Sequence, residues 1–145
     1  MSEAVSRMTP TTPLEKGEQV IDSFRADRMT YMRDHAWMAA VAMAAGMAIL
    51  WLIGNPHVWT GAVGGLAAIA IRGGYLATDE LAARWDLTDR RLLGPQTRVA
   101  RLSDIAQIRG LGSAVQIVTR SGDKHLIKYL ADKNSVMARI KEAVV

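Results

Sequence analysis

The sequence predicts an α+β membrane protein, in which a two-helix transmembrane hairpin leads into a small β-sheet closed by a C-terminal α-helix. Two observations carry most of this. Residues 35–71 run for 37 positions without a single Asp, Glu, Lys or Arg, well beyond the ~20 apolar residues that one bilayer crossing needs. From Arg84 onward, large and polar residues alternate in short segments, the period-two mark of strands, until a last segment returns to helical spacing.

Residues 1–13, with Thr9, Pro10, Thr11, Thr12 and Pro13, show no periodicity and are expected to form a disordered leader. Residues 14–34 are expected to be cytoplasmic and to include a strand. Within GEQVIDSFRAD (17–27), Val20, Asp22, Phe24 and Ala26 alternate with Ile21, Ser23 and Arg25, as in a strand separated from its sheet by the hairpin.

The hairpin itself is placed at 35–77. Its first span, 36–53, is eighteen uncharged residues, which at ~1.5 Å per residue approaches the ~30 Å hydrocarbon thickness. Gly54-Asn55-Pro56-His57 supplies the turn, because Pro56 cannot continue a helix and Gly54 and Asn55 tolerate the dihedrals that close one. The second span, 58–77, is interrupted only by Arg72. That side chain can snorkel to the headgroups, pair with an acidic group, or mark a substrate or ion path. Trp37, Trp51 and Trp59 fall near the ends of the spans, where indoles prefer the interface. Gly61 and Gly65 on the second span, and Ala40, Ala44 and Ala48 on the first, are the expected close-packing positions, for the hairpin on itself ahead of a homo-oligomer.

Orientation follows from the arginines. Arg25, Arg28 and Arg33 precede the hairpin, Arg72, Arg84, Arg90 and Arg91 follow its second apolar run, and the turn has none, which places both termini in the cytoplasm. A cleavable signal peptide is not expected, since 34 mostly polar residues with six acids come first.

Residues 78–145 are expected to form the cytoplasmic domain. WDLT and RLLG read as a strand pair turned at Asp89-Arg90; TRVARL, DIAQIRGL, AVQIVTR and HLIKYL follow as further extended segments, the last two joined by a Ser121-Gly122-Asp123 turn. Val115 and Ile117 share a face, and the partner strand offers either Leu126 with Lys128 or Ile127 with Tyr129. A closing helix spans 133–144, capped by Asp132 or Asn134, with Val136, Ile140 and Val144 on one face.

The chemistry that the sequence offers is sparse. There is no cysteine, so disulfides, thiol nucleophiles and Cys-ligated metals are excluded. His35, His57 and His125 are far apart, and no nucleophile elbow, zinc helix or phosphate loop occurs; RGLGSA (109–114) has a G-x-G without the third glycine and reads as a turn. No enzyme, cofactor or metal site is expected. Net charge is +4, with thirteen basic and eight acidic residues after position 71. That excess fits a solvated face or an anionic membrane surface, and nucleic acid least. Thr88 and Asp89 read as turn residues bonding their own backbone. Arg84, Arg90 and Arg91 are the candidate contacts for lipid phosphates or an acidic partner, with Asp86 and Asp104 as nearby alternatives for the last two.

The order of Gly17-Glu18, a membrane helix pair, Trp85 with Thr88, Asp89 and Arg91, LSDI (102–105) and VQIVTRSG (115–122) resembles the bacterial pleckstrin-homology-like membrane proteins of the YdbS type, over about residues 14–142. The resemblance implies a strongly bent sheet or half-barrel of six or seven strands plugged by the C-terminal helix. The run from Leu92 to Arg101 is shorter than in many relatives. Some relatives look like assembly factors for membrane complexes, including photosynthetic ones. The expected function is a membrane-anchored binding module for a membrane protein or anionic lipid. The alternative is an accessory subunit or assembly factor of a larger membrane complex, such as a respiratory or photosynthetic one, packed through the hairpin.

Overall fold

The structure, a computed structural model, describes residues 7–144 and is α+β, with two antiparallel sheets and three helices. The chain divides into two units, Met1–Thr30 with Asp79–Val145, and Tyr31–Thr78.

The first unit carries the seven strands found among the described residues. Strand β1 (Val20–Arg25), β2 (Arg84–Thr88), β3 (Arg91–Leu93) and β4 (Val99–Arg101) form one sheet in that order. Phe24 pairs with Trp85 and Arg25 with Arg84, so β1 and β2 are neighbours although the whole helix pair lies between them in sequence. The strand expected at 17–27 is thus present. A bulge between Val20 and Asp22 leaves Val20 exposed while Phe24 turns inward. From Arg28 the chain is already helical, so the extended part of 14–34 is the shorter β1.

A 3₁₀ turn at Leu102–Asp104 leads into the second sheet, β5 (Ile105–Leu111), β6 (Ala114–Thr119) and β7 (Lys124–Ile127). Gly112, at φ 59°, makes the two-residue β5–β6 turn that RGLGSA was expected to form. Val115 lies opposite Ile127 and Ile117 opposite His125. The inward pair on β7 is therefore His125 and Ile127, leaving Leu126 and Lys128 outside. The closing helix, Lys133–Val144, is where it was expected, and Asp132 caps it through its Oδ1, which accepts the Ser135 N–H at 3.2 Å.

One apolar core joins these pieces. Phe24, Trp85, Leu87 and Leu92 from the first sheet meet Val115, Ile117 and Ile127 from the second, with Ile140 of the closing helix fully buried among them. Each such side chain contributes about 1.5–3 kcal/mol. Gly94 is required against Trp85, because an added Cβ would lie 2.6 Å from the indole ring.

Of the leader expected at 1–13, residues 1–6 lie outside the described residues. Beyond them the chain is held: the Gln96 N–H donates to Thr9 O at 2.8 Å and the Thr11 N–H to Gln96 O at 3.0 Å. A segment with no periodicity of its own is thus fixed by the loop between β3 and β4.

The second unit is a pair of helices. Helix α1 (Arg28–Leu52) and α2 (Trp59–Ala82) extend beyond the expected 36–53 and 58–77 at the ends away from the turn. Close approaches pair Gly46 with Gly61, Ala42 with Gly65 and His35 with Gly73; the numbers on one helix fall as those on the other rise, so the two run antiparallel. Among the described residues, α1 is the one helix long and apolar enough to cross a membrane. Helix α2 is diluted by Arg72 and by glycines that carry no side chain to bury, which is why the expected second crossing does not stand out in the same way.

Candidate functional site

The β2–β3 turn was the most distinctive polar stretch in the sequence, and its side chains are mostly directed at the protein itself. The Thr88 hydroxyl is fully buried. It accepts the N–H groups of Arg90 at 3.1 Å and Arg91 at 2.8 Å, and donates to Glu18 Oε2 at 2.6 Å. Thr88 is therefore the turn residue expected. Asp89 bonds across to the next segment instead of to its own turn: its Oδ1 accepts the Gln19 N–H at 3.2 Å while its own N–H donates to Gln19 O.

Arg91 does not offer a contact surface, which corrects the expectation for it. The side chain is buried and forked onto Glu18, Nε to Oε2 at 2.9 Å and Nη2 to Oε1 at 2.5 Å, with Nη2 also donating to Pro13 O at 3.1 Å. The Arg91 guanidinium holds the Glu18 carboxyl down at about 2, outweighing the upward push of burial, with help from Thr88 and a backbone N–H. The same pairing raises the Arg91 pKa. Neither Asp86 nor Asp104 is the partner. The fork is bidentate because a planar guanidinium matches a carboxylate, and it ties a residue before the helix pair to one after it.

Arg84 is also engaged, its Nε 3.1 Å from Asp86 Oδ1 and its Nη2 3.3 Å from Oδ2, with Asp86 further fixed by the Ser23 hydroxyl at 2.8 Å. Arg90 alone of the three keeps an outward face. It is half-exposed and reaches Glu15 only at 3.5 Å, a carboxylate that Arg101 also approaches at 3.1 Å.

In the helix pair, Gly61 and Gly65 sit at the closest approach, as expected. A Cβ on Gly61 would meet the Gly46 backbone at 2.3 Å, and one on Gly65 the Ala42 backbone at 2.5 Å. The opposing face of α1 is Ala42 and Gly46, however, and Ala40, Ala44 and Ala48 are exposed. Two residues along a helix turn the side chain by about 200°, so an alanine stripe starting at 40 looks away from one starting at 42.

Trp37, Trp51 and Trp59 are all exposed. Arg72, for which an acidic partner was one expectation, meets a histidine: its Nη1 lies 3.1 Å from His35 Nε2, while His35 Nδ1 lies 2.9 Å from Tyr31 O. The tautomer with its proton on Nδ1 satisfies both contacts. Tyr31 stacks on His35 at 4.1 Å and donates its hydroxyl to Gly73 O at 2.7 Å, so the mouth of the helix pair is a small polar network. Sequence spacing gave no sign of it, because its members lie 42 positions apart at the extremes.

Among the described residues no group of three His, Cys, Asp or Glu could hold a metal ion. One cluster of cations escaped sequence reasoning: Arg98, Lys124 and Lys128 line one cleft beside β7. The signal was there in KHLIK, where the two lysines recur at an even spacing on one strand edge.

No protein-family model, curated protein or solved structure matches this chain.

Proposed function

We propose that the chain is a membrane-anchored, non-catalytic interaction module of the pleckstrin-homology-like kind. In this reading α1 and α2 form a transmembrane hairpin with both chain termini on the cytoplasmic side, and the sheet unit engages a membrane protein partner or an anionic lipid surface there. The observation that carries it is the apolar surface of α1: only 11% of its most apolar stretch is buried. A core helix of a soluble protein is mostly buried, and Trp37, Val41, Ile49, Trp51 and Leu52 are instead exposed. Exposed apolar surface on that scale needs a lipid or protein solvent.

Other features support the finer parts. Arg72 lies about three turns from the end of α2 opposite the Gly54–His57 connection, and arginines flank that end and not the connection. Four strands followed by three, with the C-terminal helix packed on β5 and β6, are compatible with the pleckstrin-homology-like arrangement that the motif order suggested. The Glu18–Arg91 fork would keep the segment before β1 tied to the start of β3 across a long insertion, which suits a sheet whose chain leaves for the bilayer and returns.

The absence of cysteine makes the test simple. Single cysteines at His57, in the connection, and at Lys141, on the closing helix, are labelled with a membrane-impermeant maleimide on intact cells. The expected result is labelling of His57→Cys from outside and of Lys141→Cys only after permeabilisation. Protection of both in intact cells, or release of the chain by alkaline carbonate, overturns the reading.

The outward face of Ala40, Ala44 and Ala48 favours a second reading, an accessory subunit or assembly factor whose hairpin packs on partner helices.

A further inference from the structure

Aromatic side chains bracket the helix pair at a short spacing. On α1 the exposed indoles of Trp37 and Trp51 are 14 residues apart, about 21 Å along the helix axis. On α2 the exposed rings of Trp59 and Tyr75 are 16 residues apart, about 24 Å. The close approaches of Gly46 to Gly61 and of His35 to Gly73 bring Trp51 and Trp59 to one end of the pair and Trp37 and Tyr75 to the other. Amphipathic rings settle at headgroup level on both faces of a membrane. The two helices thus give nearly the same separation, and it is well short of the ~30 Å hydrocarbon core of an ordinary bilayer.

Charge gives a third measure. From the connection onward, α2 is uncharged only over residues 58–71, about 21 Å of helix, before it reaches Arg72. A free arginine could extend that span by snorkelling, but this one is restrained. Its Cβ leans toward the N-terminal end of α2, away from the arginine-flanked end. Its Nη1 lies 3.1 Å from Nε2 of the buried His35, whose Nδ1 lies 2.9 Å from Tyr31 O and whose ring stacks on Tyr31 at 4.1 Å. Keeping that contact holds the guanidinium near the level of His35 and Gly73, at the same end as Trp37 and Tyr75. Helix α1 is uncharged over a longer run, 35–53, but the shorter run of the two limits what the pair can span.

We propose that the helix pair is built for a thin bilayer, one of short acyl chains with a hydrocarbon thickness of about 21–24 Å. The inference rests on the transmembrane reading above and adds the kind of membrane that it requires. Val41, Ile49, Val63 and Leu66, all exposed, give the band between the rings its lipid-facing surface. Tilting fits a long helix to a thin membrane, but it cannot stretch a short span across a thick one, so the band is an upper limit. In a thicker bilayer the headgroups have to be drawn in toward Arg72, at a cost that grows with chain length.

The test reconstitutes the full-length chain in vesicles of monounsaturated phosphatidylcholines with chains of fourteen to twenty-two carbons, each mixed with a brominated eighteen-carbon competitor that quenches tryptophan. Relief of quenching reports how strongly each lipid displaces the competitor around Trp37, Trp51 and Trp59, while Trp85, buried in the sheet unit, supplies a constant background. The expected result is strongest binding of the fourteen-carbon chains, at least threefold over eighteen, with a steady fall as chains lengthen. Arg72→Leu extends the uncharged run to 58–78, about 32 Å, and should move the optimum to eighteen carbons. His35→Phe unties the arginine and should move it part of the way. An optimum at eighteen carbons or longer in the unaltered chain, or one that Arg72→Leu leaves in place, overturns the proposal. Absence of quenching in every vesicle means that the helices do not insert, which overturns the transmembrane reading as well and is distinct from insertion without a preference for short chains.

Discussion

The two units of this chain hold themselves together by opposite means. The sheet unit fills its centre with large side chains, Leu92, Val115, Ile117 and Ile140 all fully buried. The helix pair closes through what it lacks: Gly46, Gly61 and Gly65 bring backbone against backbone, and most of the bulky residues point away. With the helix pair in a bilayer, as proposed, the difference follows from the solvent. In water, burying apolar area drives packing; among lipid tails that gain disappears, and close van der Waals contact between small residues takes its place.

The comparison is broken most completely by adding side chains where the helices touch. Gly61→Leu with Gly65→Leu puts branched carbons where even a Cβ lies 2.3–2.5 Å from opposing backbone, so the pair should separate altogether. Spin labels on the exposed positions Val41 and Leu66 report it as a shift from one short distance to a broad distribution, while the sheet unit keeps its thermal transition. A preserved short distance would mean that something other than glycine contact holds the pair.

Next in size is the fork that joins the sheet unit across the helix insertion. Arg91→Met leaves Glu18 buried without its partner and should cost about 3–5 kcal/mol in denaturant unfolding of the sheet unit. Adding Glu18→Leu should recover most of that loss, since an apolar pair carries no desolvation penalty. The fork also sets an acid limit. Glu18 is lowered from 4.5 to about 2, so its stabilisation is fully present above pH 4.5 and is lost as pH falls from there toward 2. Flattening of that acid slope in the Glu18→Leu/Arg91→Met double variant is the check.

How far the sequence disclosed this architecture depended on the range of the interaction. Local signals were reliable: the closing helix at 133–144, the Gly112 turn, the strands on either side of Asp89-Arg90 and the strand before the helices all read directly from periodicity and turn chemistry. What pattern could not supply was pairing across distance. Arg91 looked like a surface cation because nothing in TDRR says that a glutamate 73 positions earlier will fold onto it. His35 and Arg72 were likewise assigned separate fates and turn out to be hydrogen-bonded. The alanine stripe failed for a different reason. Both faces of α1 carry small residues at four-residue spacing, 40, 44 and 48 on one and 42 and 46 on the other, and spacing alone cannot choose between them.

That ambiguity gives the smallest effect and the sharpest contrast. Ala44→Leu adds bulk to an exposed position and should leave the Val41–Leu66 distance unchanged, whereas Ala42→Leu, against Gly65, should spread it. If Ala44→Leu also leaves every co-purifying membrane protein in place, the outward alanine face is only lipid-facing surface. Selective loss of one partner after Ala44→Leu, with the pair distance intact, would instead make that face a docking surface and move the function from the sheet unit toward the helices.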